Sequence, residues 1–452
     1  MTIYKKTLKN QIENFKKAFL QYPDSLFERF FVDDDIADII RHTPHKRTSI
    51  FTPLVTLQAF IFQVLGADGS CKQAVASVLA DRLGNGQTAN SVNTGSYCKA
   101  RQRLPLAPMK DAATNVGARL HQQSAKAWKW YGHNVVMADG TTVQMPDTPE
   151  NQAVFPQQTT QKPGLGLPIA RMVALISLAT GSVIDYSLGP CQGKQTGESS
   201  LLSQLLSALS PGDLLLADRY YCTFAIIALL QAMEVPVLFQ IHANKKVDFR
   251  QGQQLGAKDH CVNWKKPKRK PVWMTVEAYA GLPDTITVRE FSVKGVVYTT
   301  TLLSAKTYPK TAVALFYRER WKIELDFRTL KTDMDMELLR CKSPDMVKKE
   351  IAVYFLAYNI IRGNLVQAAM QHDKVARQLS FKSAVQLLIQ AFKATLVLAG
   401  VLLSKAVQEM VKAMASTAIG QQRRKSQPRA IKRRPKPYPL LMVPRQQACA
   451  TL

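Results

Sequence analysis

From Asn134 to Ile241 the chain sets out a fixed succession of elements. Asn134-Val-Val-Met-Ala-Asp139-Gly is a short apolar run closed by an acid and a glycine. Ala170 to Ala179, then Thr180-Gly181, then Ser182 to Leu188 reads as two strands joined by a turn. Ser199 to Leu209 has a helical pattern and Asp213-Leu-Leu-Leu-Ala-Asp218 reads as a buried strand. Thr223 to Met233 reads as a helix and Val235 to Ile241 as a further strand. Strand, paired strands, helix, strand, helix, strand: that order calls for a mixed α/β sheet with helices on its faces. It also leaves carboxylates, Asp139 and Asp218, at the C-terminal ends of two apolar strands.

The flanks differ in character. Residues 1 to about 130 read as helical, with an amphipathic stretch at Leu8 to Leu20, a short unit at Asp33 to Ile40 and an N-capped helix at Pro53 to Leu65. Ser96 to Pro105 carries Lys99, Arg101 and Arg103 and suits either a solvated helix end or a phosphate contact. Between about 243 and 305, Lys265-Lys-Pro-Lys-Arg-Lys270-Pro lies between Trp264 and Trp273, followed by β-type runs at Val272 to Tyr279, Thr285 to Val293 and Val296 to Leu303. This is expected to be a β-rich insertion with a basic loop. Beyond it come a long apolar helix from about Pro344 to Ala368, helices from Phe381 to Met414, and a Pro- and Arg-rich arm from Gln421 to Pro439.

Charge narrows the partners. The 452 residues hold 60 Lys+Arg against 33 Asp+Glu, a formal +27, which favours a polyanion and above all nucleic acid. The longest apolar windows, Ile351 to Ile361 and Ala394 to Leu403, are shorter than the ~20 residues that span a bilayer, so no membrane partner is expected. The N-terminus has no apolar leader, and the seven cysteines are scattered without a CxxC, so a reduced, cytoplasmic protein without thiolate-bound zinc is expected. His42-Thr-Pro-His45 reads as a turn at a helix end. Gly189 to Gln195 lacks the spacing of a phosphate loop, and Gly164-Leu-Gly166 follows no strand, so neither marks a nucleotide site.

Tyr317 to Lys331 carries the chemistry. At ~100° per helical residue, Tyr317, Arg320, Glu324 and Lys331 fall within an arc of about 60°. Phe316, Ile323, Phe327, Leu330 and Met334 form an adjoining apolar stripe, while Arg318, Glu319, Lys322, Asp326, Thr329 and Asp333 take the opposite side. Asp139 alone would fit a turn, Asp218 a helix cap, and Glu324 an i,i+4 ion pair. Together, in so basic a chain, the three suit carboxylates that hold divalent cations for phosphoryl transfer.

These residues also match a known pattern. Tyr317, Arg320, Glu324 and Lys331 meet the YREK signature, Tyr-x₂-Arg-x₃-Glu-x₆-Lys. Asp139-Gly-Thr-Thr and Ala217-Asp218-Arg-Tyr look like the two acidic motifs that precede it. The chain resembles the DDE transposases of bacterial insertion sequences, the YREK group known as insertion-sequence family four. The resemblance runs from about residue 40 to 440 and takes in Tyr97 to Pro105, Asp147-Thr-Pro-Glu-Asn-Gln152 and Thr196-Gly-Glu198.

The resemblance implies an RNase H-like mixed-sheet core interrupted by a β-rich insertion. The expected divisions are a helical DNA-binding domain at 1–130, core at 131–242, insertion at 243–305, core again at 306–375, and C-terminal helices with a basic tail at 376–452. It implies that Asp139, Asp218 and Glu324 are catalytic and hold Mg²⁺ (or Mn²⁺), with two ions. It further implies cut-and-paste transposition through a DNA hairpin, on double-stranded DNA at element ends and target, by a homodimer. Tyr317, Arg320 and Lys331 are expected to meet DNA phosphates or to hold the carboxylate in place. A flipped base would stack on an aromatic, and Trp264, Trp273 and Tyr298 in the insertion are candidates with ordinary β-core readings. Two alternatives stay open: a metal-dependent DNA nuclease of the same fold without strand transfer, and a catalytically silent DNA-binding repressor.

Overall fold

A computed structural model describes residues 33–44, 49–66, 68–84, 86–88, 91–193, 196–242, 245–395, 400–419 and 442–450. The stretch Leu8 to Leu20, His45 and the arm from Gln421 to Pro439 lie outside them.

Five helices precede the sheet: α1 (Asp33–Arg41), α2 (Pro53–Leu65), α3 (Cys71–Gly84), α4 (Gly95–Arg103) and α5 (Leu106–Gln122). Helix α2 starts as its sequence demands, with Pro53 in the first turn and the Thr52 hydroxyl accepting from the Val55 amide. In α4 the basic residues divide. Arg101 is buried, donates to Gln63 Oε1 at 3.1 Å and lies over the Phe60 and Tyr97 rings, so it holds α4 to α2. Lys99 and Arg103 stay exposed.

The strands are β1 (Asn134–Gln144), β2 (Ile169–Ser177), β3 (Val183–Pro190), β4 (Asp213–Ala217), β5 (Val237–Gln240), β6 (Gln253–Gly256), β7 (Asp259–Lys265), β8 (Thr285–Val293) and β9 (Val296–Thr300). They form one nine-stranded sheet in the order β3-β2-β1-β4-β5-β9-β8-β7-β6. Pairings β1–β4 and β4–β5 are parallel and the rest antiparallel. The turn between β2 and β3 takes Gly181 into the left-handed region, at φ 76°, where a side chain would be strained. Short helices α6 (Pro149–Val154), α7 (Glu198–Ser203), α8 (Phe224–Ala232) and α9 (Val276–Ala280) lie between the strands. They are followed by α10 (Lys310–Phe316), α11 (Lys322–Arg328), α12 (Pro344–Gln371), α13 (Phe381–Thr395), α14 (Gly400–Ser416) and α15 (Arg445–Ala450).

Strand alternation divides the core in two. Val135, Met137, Leu214 and Leu216 face a cluster built with α5 and α12, while Val136, Ala138, Leu215 and Ala217 face one built with α7 and α8. The long apolar α12 is therefore an interior helix. Its Asn359 donates to the Ala113 and Val183 carbonyls and accepts from the Val183 amide, each at 2.8 Å, clipping α5 to β3. Gly117 on α5 makes that approach possible, since a Cβ there would fall 1.7 Å from the Val183 carbonyl oxygen. No helix among the described residues is long and apolar enough to cross a membrane.

One local expectation needs correction. Val272 to Tyr279 is not a strand: Thr275 caps α9 by accepting from the Ala278 amide at 3.1 Å, and Pro271 before it has no amide to give a ladder. The β runs of residues 253–300 belong to the same sheet as β1 to β5. Strand β9 returns to pair with β5, so they extend the first sheet.

Candidate active site

The parallel pairing of β1 with β4 runs from Asn134↔Asp213 to Ala138↔Ala217. The next residue on each strand is an acid, Asp139 and Asp218. Adjacent strands lie ~4.8 Å apart, so this register brings the two carboxylates to one edge of the sheet. Asp218 leaves β4 into a turn in which its Oδ1 accepts from the Tyr220 amide at 2.8 Å. Strand β1 does not stop at Asp139, where the sequence suggested an end. It continues to Gln144 because β2 goes on pairing with it, through Asp139↔Ala174 to Gln144↔Ile169.

Glu324 comes from a segment whose winding changes twice: a 3₁₀ turn at Tyr317–Trp321, then α11, then a π turn at Thr329–Asp333. Ile323, Phe327, Leu330 and Met334 are buried, as the apolar stripe requires. The Tyr317 hydroxyl donates to the Ala217 carbonyl at 3.2 Å, tying the segment to the end of β4 directly before Asp218. Arg320 joins the acids: one guanidinium nitrogen lies 3.1 Å from Asp139 Oδ2 and the other 3.0 Å from Glu324 Oε1. Lys331 is not gathered in. Among the described residues it makes no ion pair with the three acids, and burial lowers its pKa while Glu337 opposes the shift. The wider π turn alters its angular position from the one ideal α spacing gives.

Burial raises the Asp139 carboxyl to about 6; the Gly140 amide and Arg320 oppose the shift, while Asp218 and Glu198 add to it. Burial also pushes the Tyr317 hydroxyl upward. Burial works against the charge of Arg320, but Tyr317, Asp139 and Glu324 together hold its pKa above the usual value. Among the described residues no three His, Cys, Asp or Glu side chains are grouped tightly enough to hold a metal ion. Here a guanidinium occupies the place between Asp139 and Glu324, so the donor set already gathers about a positive charge. Hard carboxylate oxygens short of counter-charge suit a divalent cation.

A stability effect follows from Asp139. Its folded pKa, about 6, stands above the ordinary value of 3.8, so the folded protein bears the cost of a desolvated charge above pH ~6 and loses that cost below pH ~4. In chelator, Asp139→Asn is expected to stabilise the protein by about 1–3 kcal/mol near pH 7.5, fading to nothing near pH 4. Urea titrations at several pH values measure this; an advantage that does not vary with pH would contradict the burial effect.

Two residues at this site were not singled out by sequence. Glu198 opens α7, where Tyr221 donates to its Oε2 at 3.4 Å; its one signal was its place in Thr196-Gly-Glu198. Asp326, placed by helical spacing on the side opposite the Tyr317–Lys331 arc, is 1% exposed. It accepts from Tyr358 at 3.2 Å, Arg362 at 2.9 Å and Arg377 at 2.5 Å, partners more than thirty residues away that helical spacing cannot reveal. The insertion aromatics are engaged in packing. Trp264 donates to Glu290 Oε1 at 2.8 Å, Trp273 packs against the α7–α8 cluster, and Tyr298 stacks on Phe291.

Residues 130–360, which span both strands and α11, match the family described as "Transposase DDE domain". The chain belongs to that family. The transposase is also similar to a curated relative, transposase InsG for insertion sequence element IS4 of Escherichia coli (strain K12), with 27% identity over 361 residues, 77% of this chain and 78% of the relative. It is an enzyme of the DDE transposases, with the divalent-metal dependence general to the DDE domain. Among solved structures, the transposase is similar to a piggyBac transposase synaptic complex with hairpin DNA, at TM-score 0.46 and 10% identity, covering 88% of this chain and 85% of that one.

Proposed function

We propose that this transposase moves an insertion sequence by cut-and-paste transposition, with Asp139, Asp218 and Glu324 as its catalytic acids on an RNase H-like core. The observation that carries this reading is the meeting of the three segments: two acids adjacent in register on parallel strands, and an arginine bonded to Asp139 and Glu324 at once. The three acids would hold Mg²⁺ or Mn²⁺, as two ions. Such ions, when bound, sharpen the attacking oxygen and steady the leaving one in an in-line displacement.

The chain's own residues do the rest. Water attacks the phosphodiester at the element's end, one P–O bond forming as the other breaks, and a 3′-hydroxyl is released. That hydroxyl attacks the opposite strand and closes a hairpin; a second water opens it; the freed 3′ ends then join target DNA. Every step replaces one oxygen on phosphorus by another, so one constellation of acids serves them all. Arg320, which bonds to Asp139 and Glu324 here, would neutralise the phosphate beside Glu324. Tyr317 braces the end of β4 and with it Asp218. Lys331, half-exposed one segment along, meets a more distant phosphate. Residues 1–130 bind double-stranded DNA, with Lys99 and Arg103 open to its backbone, and two copies pair the element's two ends.

Supplying precut ends with free 3′-hydroxyls and a supercoiled target tests the reading. Joined products are expected. Cleavage of uncut ends without joining would favour a nuclease, and end binding with neither reaction a silent repressor.

A further inference from the structure

A fourth acid approaches the same place from the opposite face of the sheet. Glu198 begins α7, and its path is fixed from β2, where Arg171 donates to the Thr196 carbonyl at 2.8 Å. Its carboxyl group lies against Gly140, the residue after Asp139. A Cβ built on Gly140 would fall 2.5 Å from both Cδ and Oε1 of Glu198. Gly140 is not among the residues with positive φ, so its backbone gives no reason for glycine. What a side chain would displace there is the Glu198 carboxylate. The other oxygen, Oε2, accepts from Tyr221, a fully buried side chain three residues beyond Asp218. Glu198 is thus touched by both acid-bearing segments, just past Asp139 on one and just past Asp218 on the other. Among the described residues it forms no ion pair. A half-buried carboxylate set beside two others, with no cation bonded to it and Arg171 acting on it only from a distance, has room for further counter-charge.

We propose that Glu198 is a fourth carboxylate of the active site, holding divalent cations with Asp139, Asp218 and Glu324, and that position 140 is glycine to admit it. This rests on the three-acid reading above and adds a residue to it.

Mn²⁺ binding to the full-length chain, followed by the electron paramagnetic resonance of free Mn²⁺, tests the proposal without recourse to turnover. Glu198→Gln is expected to weaken Mn²⁺ binding about tenfold or more, with the thermal unfolding midpoint in chelator unchanged or raised. Gly140→Ala keeps the glutamate but pushes its flexible carboxylate end aside, and is expected to weaken binding in the same direction. It also carries the test if Glu198→Gln folds poorly. Parent-like Mn²⁺ affinity in either folded variant would overturn the proposal and leave Glu198 as the start of a helix. Asp139→Asn, measured alongside, separates the two readings. If it loses affinity while Glu198→Gln does not, only the fourth carboxylate falls; if it too binds as the parent does, the three-acid site falls as well.

Discussion

Replacing Glu324 with glutamine is expected to lower strand cleavage by about three orders of magnitude or more while the protein stays folded and still binds the element's ends. Glutamine has the shape of glutamate, so Ile323 and Phe327 on either side keep their buried places. What is lost is one of the negative charges that would gather cations at the scissile phosphate, and losing one member of a group that acts as a unit costs nearly as much as losing the unit. The folding cost is small. Glu324 is 36% exposed and pairs with Arg320 in an i,i+4 arrangement, a kind of contact that contributes below ~1 kcal/mol, and Arg320 keeps its bond to Asp139. Cleavage of labelled end DNA in Mg²⁺, beside a gel-shift titration, measures both halves. Cleavage at the parent rate would remove Glu324 from the site.

Two residues further along the same helix, Asp326→Ala should act in the opposite way, through folding. Asp326 is the shared counter-charge of Arg362 and Arg377, both of whose side chains are less than 10% exposed. Arg377 also donates to the Ser177 and Leu178 carbonyls at the end of β2, at 2.9 Å each, so one carboxylate fastens α11 both to α12 and to the sheet. Removing it leaves two interior guanidinium groups without compensation, which costs about 3–5 kcal/mol. Denaturant titration measures the loss. A change below ~1 kcal/mol would mean that water reaches the cluster. Because α11 carries Glu324, a folded remnant of this variant is also expected to cleave DNA more slowly.

Sequence and structure agree where a local pattern decides the outcome. Strands β1 to β5 and helices α7 and α8 follow from apolar runs and turn residues, and the Gly181 turn was visible in Thr180-Gly181 because few other residues tolerate its φ. The meeting of Arg320 with Glu324 was readable from a spacing of four. Where a distant segment decides, the pattern was silent or misleading. Strand β1 passes Asp139 because β2 continues its ladder. The β7–β9 strands join the main sheet because β9 finds β5, which no local signal announces. Asp326 sat on the polar arc of an ideal helix, and only α12 and the chain near Arg377 turn that arc inward. Arg101 suited either a solvated helix end or a phosphate contact, and it took Phe60 and Gln63, distant in sequence, to enclose it. Lys331 lies in a π turn, so ideal α spacing does not fix its place beside the other YREK residues.

The Arg320–Asp139 bond joins residues 181 positions apart in the chain. Helix α11, which follows Arg320 directly and carries Glu324, is fastened through Asp326 to residues later still. The segment that carries Glu324 therefore has its anchors, Arg362 and Arg377, only once the chain has been made well beyond it. A truncated product ending before Pro344 is expected to keep the pairing of β1 with β4 but to leave that segment unfastened.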